Sequence, residues 1–232
     1  MSNTIDPNDI HSAADTWSGF IYQGKVALYH VLKLLVEDYD NSIDLFLQLD
    51  SLEDFAIVNE DISRIVSLHQ VKAMKSRRYS EYNEAFQKLE IRLNDYPSER
   101  GAFFHLANPN ERTNFEIKAI HPTIDIYEYN TGNYHCSLNE IDGLIDNYIL
   151  AFLALNHPER NNLDYRQIVR NCLEDIIVSQ VIGIHAINHN PDGLTIEEGA
   201  YYLPIPFTSF LQILNNDQID RLADSSYFLN ST

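Results

Sequence analysis

The chain has 232 residues, 44% hydrophobic and 11% aromatic, which suits one large folded domain or two small ones and excludes a disordered polymer. Its 34 acidic against 16 basic residues give a formal net charge of −18, a field that repels phosphates, so action on nucleic acid requires a local basic patch, bound cations or a delivering partner. The absence of a long apolar run, the polar start "MSNTIDPNDIHSAAD" and a cysteine pair too small for a disulfide framework predict a cytoplasmic protein with no membrane span.

The first element predicted is a helix from about Ala14 to Val36, with Trp17, Phe20, Ile21, Leu28, Val31, Leu32 and Leu35 at helical spacing. Gly19 and Gly24 inside it point to another backbone packing closely. "SIDLFLQLD" (42–50) reads as a strand, and "DFAIV" and "SRIVSLHQVKA" as two more around polar "NEDIS". A long amphipathic helix follows, with Ser80 as the expected N-cap and a stripe of Tyr82, Phe86, Leu89 and Leu93. "AFFHLAN" (102–108) and "TIDIYEY" (123–129) are further strands.

From about Cys136 the pattern turns helical. Ser137 and Glu140 form a capping-box pattern ahead of a helix carrying Ile141, Leu144, Tyr148 and Phe152. A second helix is predicted over roughly Asp164 to Val181, and a third from near Pro206. The organisation expected is thus an α/β (α+β) part over 1–135 and a helical region over 136–232, with a soft boundary and room for a shared core.

The hairpin bears most on function. A turn near residue 62 sets Asp54 opposite Gln70, and alternation puts Gln70 and Lys72 on one face. Asp54, Gln70 and Lys72 then gather with Asp50 and Glu53 close by. Two readings fit. In one, Asp54 and Gln70 offer oxygen ligands to a hard cation and Lys72 neutralises charge on a phosphate. In the other, this is an ordinary strand pair ending in a lysine. Lys72, Lys75, Arg77 and Arg78 place four of the 16 basic residues within seven positions, either along the path of a phosphate backbone or as a solvated loop.

The phrases "ADTWSGFIYQGKVALYHVLKLL", "LDSLEDFAIV" and "LHQVKAM" resemble the start of PD-(D/E)xK nuclease effectors of bacterial anti-phage systems. These are the Mrr-like QxK enzymes of CD-NTase-associated and ABC-three-component (Lamassu-like) systems. The resemblance spans about residues 13–75. It implies a restriction-endonuclease-like core, a mixed sheet flanked by helices, that cuts double-stranded DNA with Mg²⁺ or Mn²⁺. Carried over by position, Asp54 and Gln70 are the metal-binding residues, Lys72 is the catalytic lysine, and Gln23 and Asp50 match supporting positions, with Glu53 beside Asp54 as a further supporting candidate. The family further implies an SMC-like ABC ATPase and another operon subunit as partners; a homo-oligomer is a separate expectation, since cutting both strands calls for two sites. A non-catalytic assembly or sensing subunit of the same complex is the alternative.

Other residues attract less chemistry. His185 and His189 are four apart, but "IGIHAINHNPDG" does not read as a secure helix and no third zinc ligand is evident. Cys136 and Cys172 read as small core residues. No phosphate-binding glycine loop is present, so ATP binding would belong to a partner.

Overall fold

The computed structural model describes residues 14–160, 162–187 and 195–216. Its centre is a mixed six-stranded sheet in the order β5-β4-β3-β2-β1-β6. Strands β1 (Phe46–Leu49), β2 (Phe55–Val58) and β3 (Ile65–Lys72) form an antiparallel meander. β4 (Ala102–Leu106) and β5 (Ile124–Ile126) continue it in parallel, and β6 (Ile205–Pro206) returns late in the chain to pair antiparallel with β1. Parallel neighbours need crossovers, supplied by α3 (Tyr79–Asp95) and α4 (Asn114–Ile120).

Helices cover both faces, which is why β2 and β3 are buried along nearly their whole length, polar residues of β3 included. On one face lies α1 (Ala14–Glu37), backed by α5 (Leu138–Asn156), α6 (Leu163–Ile187) and α8 (Phe207–Leu214). The core there joins Tyr22, Leu32, Phe55, Ile145, Leu173 and Phe207, so residues before and after position 135 share it. On the other face, α3 and α4 pack Tyr82, Phe86 and Ile117 against Leu68 and Phe104. The hairpin has the predicted register: Phe55 pairs with His69, one step inside Asp54 and Gln70, before an irregularity between Ile57 and Val58.

Several elements differ from the expectations. The strand expected over 42–50 is confined to Phe46–Leu49, where β2 and β6 offer backbone partners, and Ser42 ends a short helix α2 (Tyr39–Ser42). α3 starts at Tyr79, so Ser80 lies inside the helix and is not its cap. The cap is tertiary: the Tyr79 N–H donates to Glu111 Oε1 at 2.8 Å. α6 runs past Gly183 to Ile187 because α7 (Ile196–Tyr202) packs on it, with Ile184 buried beneath. The pattern reading missed α4 and α7, although each opens with a capping box, Thr113/Glu116 and Thr195/Glu198.

Candidate active site

The order of residues in β2 and β3 dictates the site. Beyond the irregularity, Phe55, Ile57, Ser67, His69 and Val71 turn to the α1 face, which leaves Ala56, Leu68, Gln70 and Lys72 on the α3 face. Asp54 enters β2 from that second side. Its Oδ2 accepts hydrogen bonds from the Gln70 side-chain amide and from the Val71 N–H, the latter at 2.6 Å. Asp54 Oδ1 and Gln70 Oε1 have no hydrogen-bond partner among the described residues. Both are hard oxygens at the end of β3, a donor set that fits one divalent cation. Lys72 closes the strand, half-buried, and makes no ion pair among the described residues.

The flanking segment adds acid. Asp50 adopts the left-handed backbone (φ 51°), and its N–H donates to the Asp54 carbonyl at 3.1 Å, folding residues 50–54 into a tight bend. Glu53 faces Arg92 of α3 at 3.8 Å. Burial, then the neighbouring Asp54 charge, pushes the Glu53 carboxyl up to about 7 against the pull of Arg92 and Lys72. Burial also raises Asp54, opposed by the Val71 N–H, the Lys72 ammonium and the Gln70 amide. Asp50 is raised by burial as well. Carboxylates placed in low dielectric hold their protons more firmly, here even with Lys72 and Arg92 nearby.

The predicted residues are not all assembled. Asp54, Gln70, Lys72, Glu53 and Asp50 come together, whereas Gln23 is half-buried on α1, the helix covering the opposite face, with no hydrogen bond to the group. Lys75, Arg77 and Arg78 stand exposed on the segment leaving β3, with Arg77 donating to the Pro109 carbonyl at 3.2 Å. They continue the line begun by Lys72. Among the described residues no three His, Cys, Asp or Glu side chains form a metal-binding group. His185 lies on α6, while His189 is outside the described residues. Cys136 is a buried core residue whose thiol burial pushes up to about 12, an unreactive state.

Arg92 was not foreseen, because only the packing of α3 on the sheet brings it to Glu53. Nor was a buried polar chain on the α1 face. His69 Nε2 meets Ser67 Oγ at 2.8 Å, His69 Nδ1 meets His105 Nε2 at 3.0 Å, and His105 Nδ1 meets the Tyr129 hydroxyl at 2.9 Å. His30 Nδ1 joins the Tyr127 hydroxyl at 3.0 Å beside it. The signal was present in the alternation: if Gln70 faces one side, His69 must face the other.

Comparison with known proteins bears on the second half of the chain. No curated protein and no solved structure matches. Residues 124–231, from β5 through the C-terminal helices, match the family model of C-terminal domain 1 (CTD1) of the ABC-three component (ABC-3C) systems. The match covers 108 of the 232 residues and makes this stretch similar to that domain.

Proposed function

We propose that the chain is a metal-dependent DNA endonuclease of an ABC-3C defence complex. The observation that carries this reading is the gathering of Asp54, Gln70 and Lys72 on one sheet face, at the head of the basic segment Lys75–Arg78. Asp54 and Gln70 would hold Mg²⁺ or Mn²⁺, which when bound supplies an acidified water and offsets charge on the scissile phosphate. Lys72 is positioned to stabilise the negative charge that grows on the phosphoryl oxygens. Lys75, Arg77 and Arg78 contact the backbone of double-stranded DNA and set its path. Val71 N–H and the Gln70 amide both hold Asp54 Oδ2, which leaves Oδ1 for a ligand. With a net charge of −18, the free protein binds DNA weakly, so a partner delivers the substrate. An SMC-like ABC ATPase with a further operon subunit fits that task, and a homo-oligomer would place two sites on two strands.

A second reading has its own support. Asp54 Oδ2 is already engaged by two internal donors and carboxylate ligands are few, as expected of a non-catalytic assembly or sensing subunit. Supercoiled plasmid incubated with Mg²⁺, with and without the other operon components, separates the two. The nuclease reading expects nicking or linearisation that falls at least about 100-fold in Lys72→Ala, the scale of losing one charge-stabilising group. No cleavage by an assembled complex would overturn it in favour of the assembly subunit.

A further inference from the structure

A cavity of about 670 Å³ lies on the other side of β3, over the free edge of β5, and belongs to neither reading above. Its size falls within the range of small-molecule sites, roughly 300–1,000 Å³. The floor is polar. His30 and Ser67 both line it: Ser67 ends the buried histidine–tyrosine chain, and His30 belongs to the His30–Tyr127 pair beside that chain. His30 Nδ1 is taken by the Tyr127 hydroxyl, and its Nε2 has no hydrogen-bond partner among the described residues. Ser67 Oγ is backed by His69, whose other nitrogen is backed by His105, so the serine can donate or accept as a ligand requires.

The walls combine cations with aromatic rings. Lys33 Nζ sits 5.3 Å from the centre of the Tyr127 ring and has no ion pair among the described residues. Arg100 reaches in beside it, tethered to Asp38 at 2.8 Å. A third lining cation, Lys118, is held by Asp125 at 2.5 Å, and in a molecule with 34 acidic and 16 basic residues the remaining two, Lys33 and Arg100, beside a histidine are out of keeping with the average surface. Across the cavity Phe115 is 85% exposed, an unusual state for a phenylalanine, with Tyr134 also on the wall. On the rim, Asp125 Oδ1 is engaged by Lys118 and Glu128 Oε1 by the Gly132 N–H, which leaves the second oxygen of each carboxylate to accept from hydroxyl groups.

Two cations for an anion, open aromatic faces for a planar ring, and rim acceptors for hydroxyls make one chemical description. We propose that this cavity binds a free mononucleotide, with its phosphate between Lys33, Arg100 and His30 and its base against Phe115 and Tyr134. The site is independent of Asp54, Gln70 and Lys72, which face the opposite side of the sheet.

The test is calorimetric titration of the purified full chain with AMP, GMP, CMP and UMP, alongside inorganic phosphate and adenosine as half-ligands. At least one mononucleotide should bind saturably and at least about tenfold more tightly than either half-ligand. Lys33→Gln and Phe115→Ser should each weaken it about tenfold or more, and Lys72→Ala should leave it unchanged. Phe115 is too exposed for its replacement to unfold the protein, which keeps that arm readable. Absence of saturable binding, or binding indifferent to both variants, would overturn the proposal. Equal loss in Lys72→Ala would also do so, by assigning the ligand to the other face.

Discussion

At the scale of single residues, Asp54 shows how a site can oppose stability. Burial holds its carboxyl above the usual range, so the ionised form is costly at neutral pH, yet the same atoms satisfy two donors. Asp54→Asn keeps an acceptor and removes the charge. It should abolish cleavage while leaving stability unchanged or up to about 1 kcal/mol higher, as functional residues often do. Asp54→Ala strands the Gln70 amide and Val71 N–H and should cost about 1–3 kcal/mol in urea unfolding. The buried histidines set a pH response. Burial, then the fields of Lys33 and Arg100, lowers His30 from 6.5 to about 3, and burial holds His69 and His105 well below 6.5. Such groups bind more protons unfolded than folded between those limits, so their stabilisation is complete above about 6.5 and is lost as pH falls. Each should cost on the order of 2 kcal/mol between pH 7 and pH 5. Glu53, raised to about 7, acts oppositely and offsets about one of the three, and the raised Asp50 and Asp54 act in the same sense as Glu53. Urea midpoints at pH 7 and 5 should therefore show a net loss. A rise on acidification would contradict neutral buried histidines.

At the scale of elements, the packing of α1 on α6 turns on Gly24. A Cβ there would lie 3.0 Å from Ile177 Cγ2, tighter than ordinary contact. Alanine gains about 1 kcal/mol of helix propensity but must push Ile177 aside. Gly24→Ala should be near neutral, Gly24→Leu should lose about 2 kcal/mol or more, and Ile177→Val should recover part of that loss, read by thermal unfolding. The predicted capping box of α5 is formed, with Ser137 N–H and Oγ both donating to Glu140 Oε2 at 2.8 and 2.7 Å. Ser137→Ala should cost about 1 kcal/mol.

At the scale of the molecule, the two parts of the chain lean on one another. α1 is buried against α5 and α6, and β6 closes the β1 edge of the sheet from residues 205–206. A fragment of residues 1–135 would expose the side of α1 that carries Leu28, Leu32 and Leu35. It should lack a cooperative urea transition by circular dichroism, whereas the full chain should show one. Cooperative unfolding of that fragment would mean that the α1 face does not need the later helices.

The sequence by itself determined what local chemistry controls. The hairpin register followed from strand alternation around "NEDIS", and it alone placed Asp54 beside Gln70 and Lys72. The limits of α1, the stripe of α3 and the capping box of α5 were equally legible, since each depends on periodicity or on residues within one turn. What tertiary structure decided rests on contacts between residues far apart in the chain. Glu111 replaced Ser80 as the α3 cap, α7 carried α6 past Gly183, and α3 brought Arg92 to Glu53. The chain from Ser67 to Tyr129 formed only when β4 and β5 came alongside β3. Alternation can tell which way a side chain points, but only the packed neighbours decide what it meets.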